Sequence, residues 1–186
     1  MVTLKSNREL DLMRQAGRLV SEVLQEVAAL VKPGMTLAEL DREAEERTLA
    51  RDAKPAFKGY LGYRHTLCTS VNEQVVHGIP TDRALVEGDI VGLDYGLVYK
   101  GFYCDSAVTV PVGPISERSA RLMRATRDSL YAAIDASREG NTIKDVARAV
   151  EDTVKSFGYG IVREFVGHGI GQKLHEDPQI PNYAAG

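Results

Sequence analysis

The chain has only two cysteines, Cys68 and Cys104, and no Cys-x-x-Cys spacing. That argues against a disulfide framework or a thiolate zinc site and favours a reducing cytoplasm. No apolar run approaches the roughly 18 residues that a membrane span requires. The N-terminal Met-Val-Thr-Leu-Lys-Ser passes straight into an amphipathic helix, so no signal peptide is expected. The net charge is only -3, which leaves no electrostatic case for nucleic acid or an anionic membrane as a partner. Serine nucleophile elbows, phosphate loops and dinucleotide fingerprints are also missing.

What remains is an ordinary globular composition, 44% hydrophobic and 26% charged over 186 residues. That length suits one domain with two internal halves, able to bury roughly 70% of its unfolded surface. Ser6-Asn-Arg-Glu9 is a capping-box pattern, and Leu10, Met13, Leu19, Val20, Val23, Leu24 and Val27 follow at helical spacing. Pro33-Gly34 closes that helix, and Thr36-Leu-Ala-Glu39 opens another that runs to about Leu49. The plan then recurs. Ser116 starts a long helix with Leu122, Met123, Leu130 and Ile134, Gly140 stops it, and Thr142-Ile-Lys-Asp145 opens the next.

Each second helix leads into a strand-like segment that reaches His-Gly, at His77 and at His168. The halves, about 1–112 and 113–186, therefore read as an internal α+β duplication with a site between them; chance likeness of two helical pairs is the alternative. The first half continues into an acidic strand pair. The second reaches Asn182-Tyr-Ala-Ala-Gly186 with no equivalent pair, so the sequence reads as unfinished by its own plan.

That strand pair spans Gly88 to Val110, with a break at Lys100-Gly101. Each strand carries one acid, Asp94 and Asp105, placed opposite each other to within one residue if the chain reverses near 99–101. Cβ atoms of opposed residues lie about 5 Å apart, where like charges repel. A divalent cation between them would turn repulsion into attraction. Otherwise one acid faces solvent, or the register separates them. Three of the four histidines, His77, His168 and His175, sit among glycines or prolines, while His65 reads as a surface residue. Glycines beside His168 permit the close backbone approach that ligand sites need, and imidazole serves as ligand, proton shuttle or hydrogen-bond donor.

Four stretches together carry a family resemblance: Ser70-Val-Asn-Glu-Gln-Val-Val-His-Gly-Ile-Pro80, Asp94 through Asp105, Gly167-His-Gly-Ile-Gly171 and Leu174-His-Glu-Asp-Pro178. In this order and spacing the chain resembles the type I methionine aminopeptidases, in their short bacterial form. The resemblance implies the pita-bread α+β fold, an antiparallel sheet covered by helices with pseudo-twofold halves, the second here incomplete within a single domain, 1–186. It implies two divalent metal ions (cobalt, manganese, iron or zinc) and hydrolysis of the first peptide bond of nascent chains, with a small second residue. By position, Asp94, Asp105 and His168 become metal ligands, and Asp105 bridges the two ions. His77 and His175 become the histidines that meet substrate and transition state. Phe57, Tyr60, Tyr63 and Cys68 become the pocket wall for the methionine side chain, an apolar thioether. The family's two glutamate ligands have no counterpart before Gly186, which implies a C-terminally truncated, impaired chain. The implied setting is a cytoplasmic monomer, with the ribosome as a candidate partner. Two alternatives stand beside it: an X-Pro peptidase of the same fold, and a non-catalytic module that binds peptide or ribosome.

Overall fold

The computed structural model describes residues 2–184, so Ala185 and Gly186, where the sequence ends its second half, lie outside the described residues. The chain divides into two compact units. One comprises Leu4–Ser116 with Ile170–Leu174; the other comprises Glu117–Gly169 with the described residues from His175 onward.

The first unit opens with α1 (Asn7–Ala28) and α2 (Leu37–Leu49). Both start where their capping boxes predict. Glu9 Oε2 accepts from Ser6 N at 2.8 Å, and Glu39 Oε2 accepts from Thr36 N at 2.8 Å, satisfying amides that have no partner within the helix. Helix α1 stops at Ala28, short of Pro33. Leu30 N and Val31 N bond three residues back, to Val27 O and Ala28 O, and this tighter winding brings Leu30 and Val31 against the core.

The sheet of this unit is antiparallel, built from β1 (Lys54–Pro55), β2 (Leu67–Val71), β3 (Ile90–Tyr99) and β4 (Phe102–Pro111). Strand β3 is central, with β4 along one side and β1 and β2 along the other. Its odd-numbered residues Val91, Leu93, Tyr95 and Leu97 are fully buried in a core completed by Val20, Val23 and Val27 of α1 and Leu40 and Ala44 of α2. The Tyr95 hydroxyl lies 2.6 Å from Thr48 Oγ1, which also lies 2.6 Å from Ala44 O. A carbonyl only accepts, so Thr48 donates to Ala44 and Tyr95 donates to Thr48. Burial raises the Tyr95 phenol to about 12 even though the Thr48 bond works against it.

The second unit contains α3 (Glu117–Ala136), α4 (Ile143–Ser156) and a two-stranded ladder of β5 (Gly167–Gly169) and β6 (Glu176–Ile180). Asp145 Oδ2 accepts from Thr142 N at 2.8 Å and from Thr142 Oγ1 at 2.7 Å, repeating the device at the start of α2. Helix α3 buries only Ala125 and Ser129, whereas Leu130, Tyr131 and Ile134 are more than half exposed.

Candidate active site

The acidic hairpin forms as expected, but its register corrects the direct opposition of the two acids. Lys100 (φ 49°) and Gly101 (φ 85°) make a two-residue loop with both φ values positive, the type I′ geometry that matches strand twist. Centring the turn there pairs Tyr99 with Phe102, and therefore Asp94 with Ala107 and Asp105 with Gly96. The acids are diagonal neighbours, about 7–8 Å apart at Cα for such a pair, which weakens their repulsion. They remain on one face, because each is an even number of residues from the other's partner. That face lies opposite the core, and both carboxylates are half-buried.

Three strands contribute to this face. Cys68 of β2 pairs with Asp94. Gly96 opens the space beside Asp105: a Cβ there would lie 3.2 Å from Asp105 Cβ and 2.9 Å from Phe57 Cε1. Phe57 therefore lies close against Gly96, beside one of the acids. Tyr63 donates from its hydroxyl to Leu67 O at 2.6 Å, next to Cys68. Burial pushes the Tyr63 phenol well above its usual range and pushes the Cys68 thiol up too, with Asp94 adding to the latter. Cys68 is thus a neutral, buried thiol and acts as a small apolar surface. Tyr60 stands on a short 3-10 turn, Tyr60–Gly62, and is 39% exposed. His77 is exposed on the loop after β2, with φ at 58°.

The remaining predicted histidines meet within the second unit. His168 on β5 and His175 just before β6 have ring centroids 4.4 Å apart at 63°. His168 Nδ1 is 2.9 Å from Gly169 O. A carbonyl only accepts, so Nδ1 carries the proton and Nε2 carries the lone pair suited to a cation. The flanking glycines do what their positions predict: a Cβ at Gly169 would lie 2.4 Å from Asp177 O. Among the described residues, no group of three or more His, Cys, Asp or Glu side chains is gathered as a metal site. In chemistry, carboxylates on rigid strands and imidazole are ligand types that suit a divalent cation.

His65 corrects its assignment as a surface residue. It is half-buried, with Nδ1 3.1 Å from Asp41 Oδ2 and its ring edge-to-face with Tyr63 at 5.6 Å. Asp41 was not anticipated as part of the site. Its Oδ1 accepts from Thr66 N at 2.7 Å and Leu67 N at 2.8 Å, fixing the start of β2. The one signal available was an acid near the start of a capped helix, which reads as solvated until the strand is placed against it.

Comparison with known proteins agrees with this geometry. The description "Metallopeptidase family M24" matches residues 11–186. The chain is 45% identical over 184 residues to a methionine aminopeptidase of Clostridium acetobutylicum, covering 98% of this chain and 74% of that one. It superposes on the crystal structure of a methionine aminopeptidase from Thermotoga maritima with a TM-score of 0.97 and 44% identity, over 100% of this chain and 75% of the other. A prolidase from Pyrococcus furiosus shares the fold at a TM-score of 0.85, with 24% identity, over 97% of this chain and 52% of that one. The pita-bread α+β fold is thereby confirmed. The match along nearly the whole chain, at an identity where sequence and structure agree, places this chain in metallopeptidase family M24, among the methionine aminopeptidases.

Proposed function

We propose that these residues serve metal-dependent removal of the N-terminal methionine from new polypeptides, with a small second residue preferred. The observation that carries the reading is the shared face of Asp94 and Asp105, opened by Gly96 and flanked by Phe57 and Cys68. Asp94, Asp105 and His168 are the residues that would hold the metal, and two divalent ions are the family's complement. A divalent cation supplies acidified water and a Lewis acid for the scissile carbonyl. His77 and His175 donate to substrate oxygen as charge develops there. Phe57, Tyr60, Tyr63 and Cys68 receive the methionine side chain. The neutral Cys68 thiol and the Tyr63 hydroxyl bonded to Leu67 O leave that wall uncharged, as a thioether requires. The substrate class points to the cytoplasm and the ribosome as the setting; no described helix is long and apolar enough to cross a membrane.

The 186 residues hold three of the five ligands in the family pattern. By themselves they are expected to bind one Mn²⁺ or Co²⁺ weakly and to release no methionine from Met-Ala-Ser, as titration calorimetry and a peptide assay would read. The test joins residues 1–186 to the part of the Thermotoga maritima relative that the match leaves uncovered. That chimera is expected to release methionine when metal is present, and Asp94→Ala is expected to abolish both release and metal uptake. His77→Ala in the same chimera should lower kcat by about 100-fold with metal content unchanged. Loss of metal in His77→Ala would make His77 a ligand, and full activity in Asp94→Ala would remove the metal assignment.

A further inference from the structure

The loop that carries His77 leaves β2 at Val71 and returns beside it at Gly78. Two of its residues, Asn72 (φ 54°) and His77 (φ 58°), occupy the left-handed region, which side chains with a Cβ seldom adopt. His77 is exposed, so burial does not impose this conformation. Such strain persists only where neighbouring contacts over-determine it.

Both ends of this loop are determined in that way. On the return, Gly78 N donates to Ser70 Oγ at 3.1 Å, and Gly78 O accepts from Thr69 N at 2.7 Å. A Cβ on Gly78 would lie 2.1 Å from Thr69 O, so only glycine can follow His77 here. On the departure, Asn72 N donates to Ile90 O and Asn72 Oδ1 accepts from Ile90 N, each at 3.0 Å. Asn72 Nδ2 donates to Asp89 Oδ1 at 2.7 Å. Asp89 is itself buried, accepting from Val86 N at 3.1 Å and pairing with Arg83 at 3.1 Å. Gln74 closes the first turn by accepting from Val71 N at 2.9 Å. Position 72 needs an amide, because one side chain must donate to a carboxylate and accept from an N–H.

We propose that Ser70 and Asn72, the latter anchored on buried Asp89, are positioning residues that hold His77 in its left-handed conformation. This rests on the reading that His77 acts on substrate, since only then does its placement bear on the reaction. Asn72→Asp keeps the acceptor for Ile90 N but sets an oxygen against the Asp89 carboxylate. Ser70→Ala removes the acceptor for Gly78 N and leaves Asn72 untouched.

The test uses the 186-residue chain with ¹³C at imidazole Cε1, its four histidine signals assigned by single replacements, at pH 8. The wild-type chain is expected to show one sharp His77 signal. In Ser70→Ala and in Asn72→Asp that signal should shift and broaden or split, while the His168 and His175 signals stay in place. A His77 signal that remains sharp and unshifted in either variant overturns the proposal for that residue. If Asn72→Asp unfolds the chain, Asn72→Gly, which retains left-handed freedom and loses only the side chain, takes its place. The signal reports placement rather than turnover. It can therefore fail while His77→Ala still lowers kcat, or hold while His77→Ala proves harmless, so the two readings fail separately.

Discussion

The α1–α2 and α3–α4 pairs open their second helices with the same device, a threonine followed three residues later by an acid, yet their apolar faces end in different surroundings. In the first unit, Val20, Val23 and Val27 are at most 1% exposed beneath the sheet. In the second, Leu130 and Ile134 are each 55% exposed and Tyr131 is 60% exposed. Capping is a local property of the chain and forms in both units. Burial is not local, because it depends on what an apolar stripe meets. The first unit carries four strands for its helices to cover; among the described residues, the second carries a ladder of eight residues. Helical order and core packing are therefore separable in this chain, and each can be perturbed alone.

The sharpest way to break the comparison is to delete equivalent bulk in each unit. Leu40→Ala in α2 removes a fully buried side chain from the core and should cost about 2–5 kcal/mol, as a cavity there cannot collapse freely. Leu130→Ala in α3 removes a mostly solvated one and should stay within about 0.5 kcal/mol. Urea unfolding of both variants measures the difference. Equal losses would mean that the α3 face is covered in solution, and the contrast between the units would vanish.

The same contrast explains what could be read in the sequence. Helix starts were legible because a capping box involves four consecutive residues, and the apolar periodicity of α3 was legible as well. Whether anything covers that stripe was not, because periodicity describes one partner only. The paired acids were legible, yet their register was not. Lys-Gly is a weaker hairpin signal than Asn-Gly, and shifting the turn centre by one residue shifts the cross-strand partner by two. His65 and Asp41 were missed for a plainer reason: they are 24 positions apart, and nothing between them carries a pattern that announces a contact. The two His-Gly motifs and the Asp94–Asp105 stretch were legible as motifs, because side-chain type and local glycine context are read from the sequence itself.

A smaller effect is expected at Asp89. Burial pushes its carboxyl up, but the Val86 N–H, Asn72 and Arg83 outweigh that and hold it below the usual carboxylate range. A depressed folded value means that the unfolded chain binds the proton more readily. The stabilisation is then complete above the ordinary carboxylate pKa and is lost as pH falls through the lowered value. Asp89→Asn should cost about 2 kcal/mol near neutral pH, the scale of hydrogen bonds to a charged group. Its urea midpoint should also fall less steeply than wild type between pH 5 and pH 2. An unchanged acid slope would show that Asp89 is no better bonded in the folded chain than in the unfolded one. Leu130→Ala, by contrast, should leave that slope unaltered.

The smallest effect sharpens the comparison from the other side, because the caps should behave alike where the cores do not. Glu39 is held below its usual range by hydrogen bonds from the Thr36 backbone and hydroxyl, and Asp145 by bonds from the Thr142 hydroxyl and backbone. Both boxes should therefore be intact above the ordinary carboxylate values and open as pH falls through the lowered ones. Thr36→Ala and Thr142→Ala should each cost roughly 1 kcal/mol, read locally as faster hydrogen exchange of the amides in the first turn of α2 and α4. If packing alone ordered these helices, Thr36→Ala and Thr142→Ala would change nothing. Matching protection losses in the two helices would show that the cap organises α4 as it organises α2. A much larger loss in α4 than in α2 would show instead that the cap carries order that burial supplies to α2.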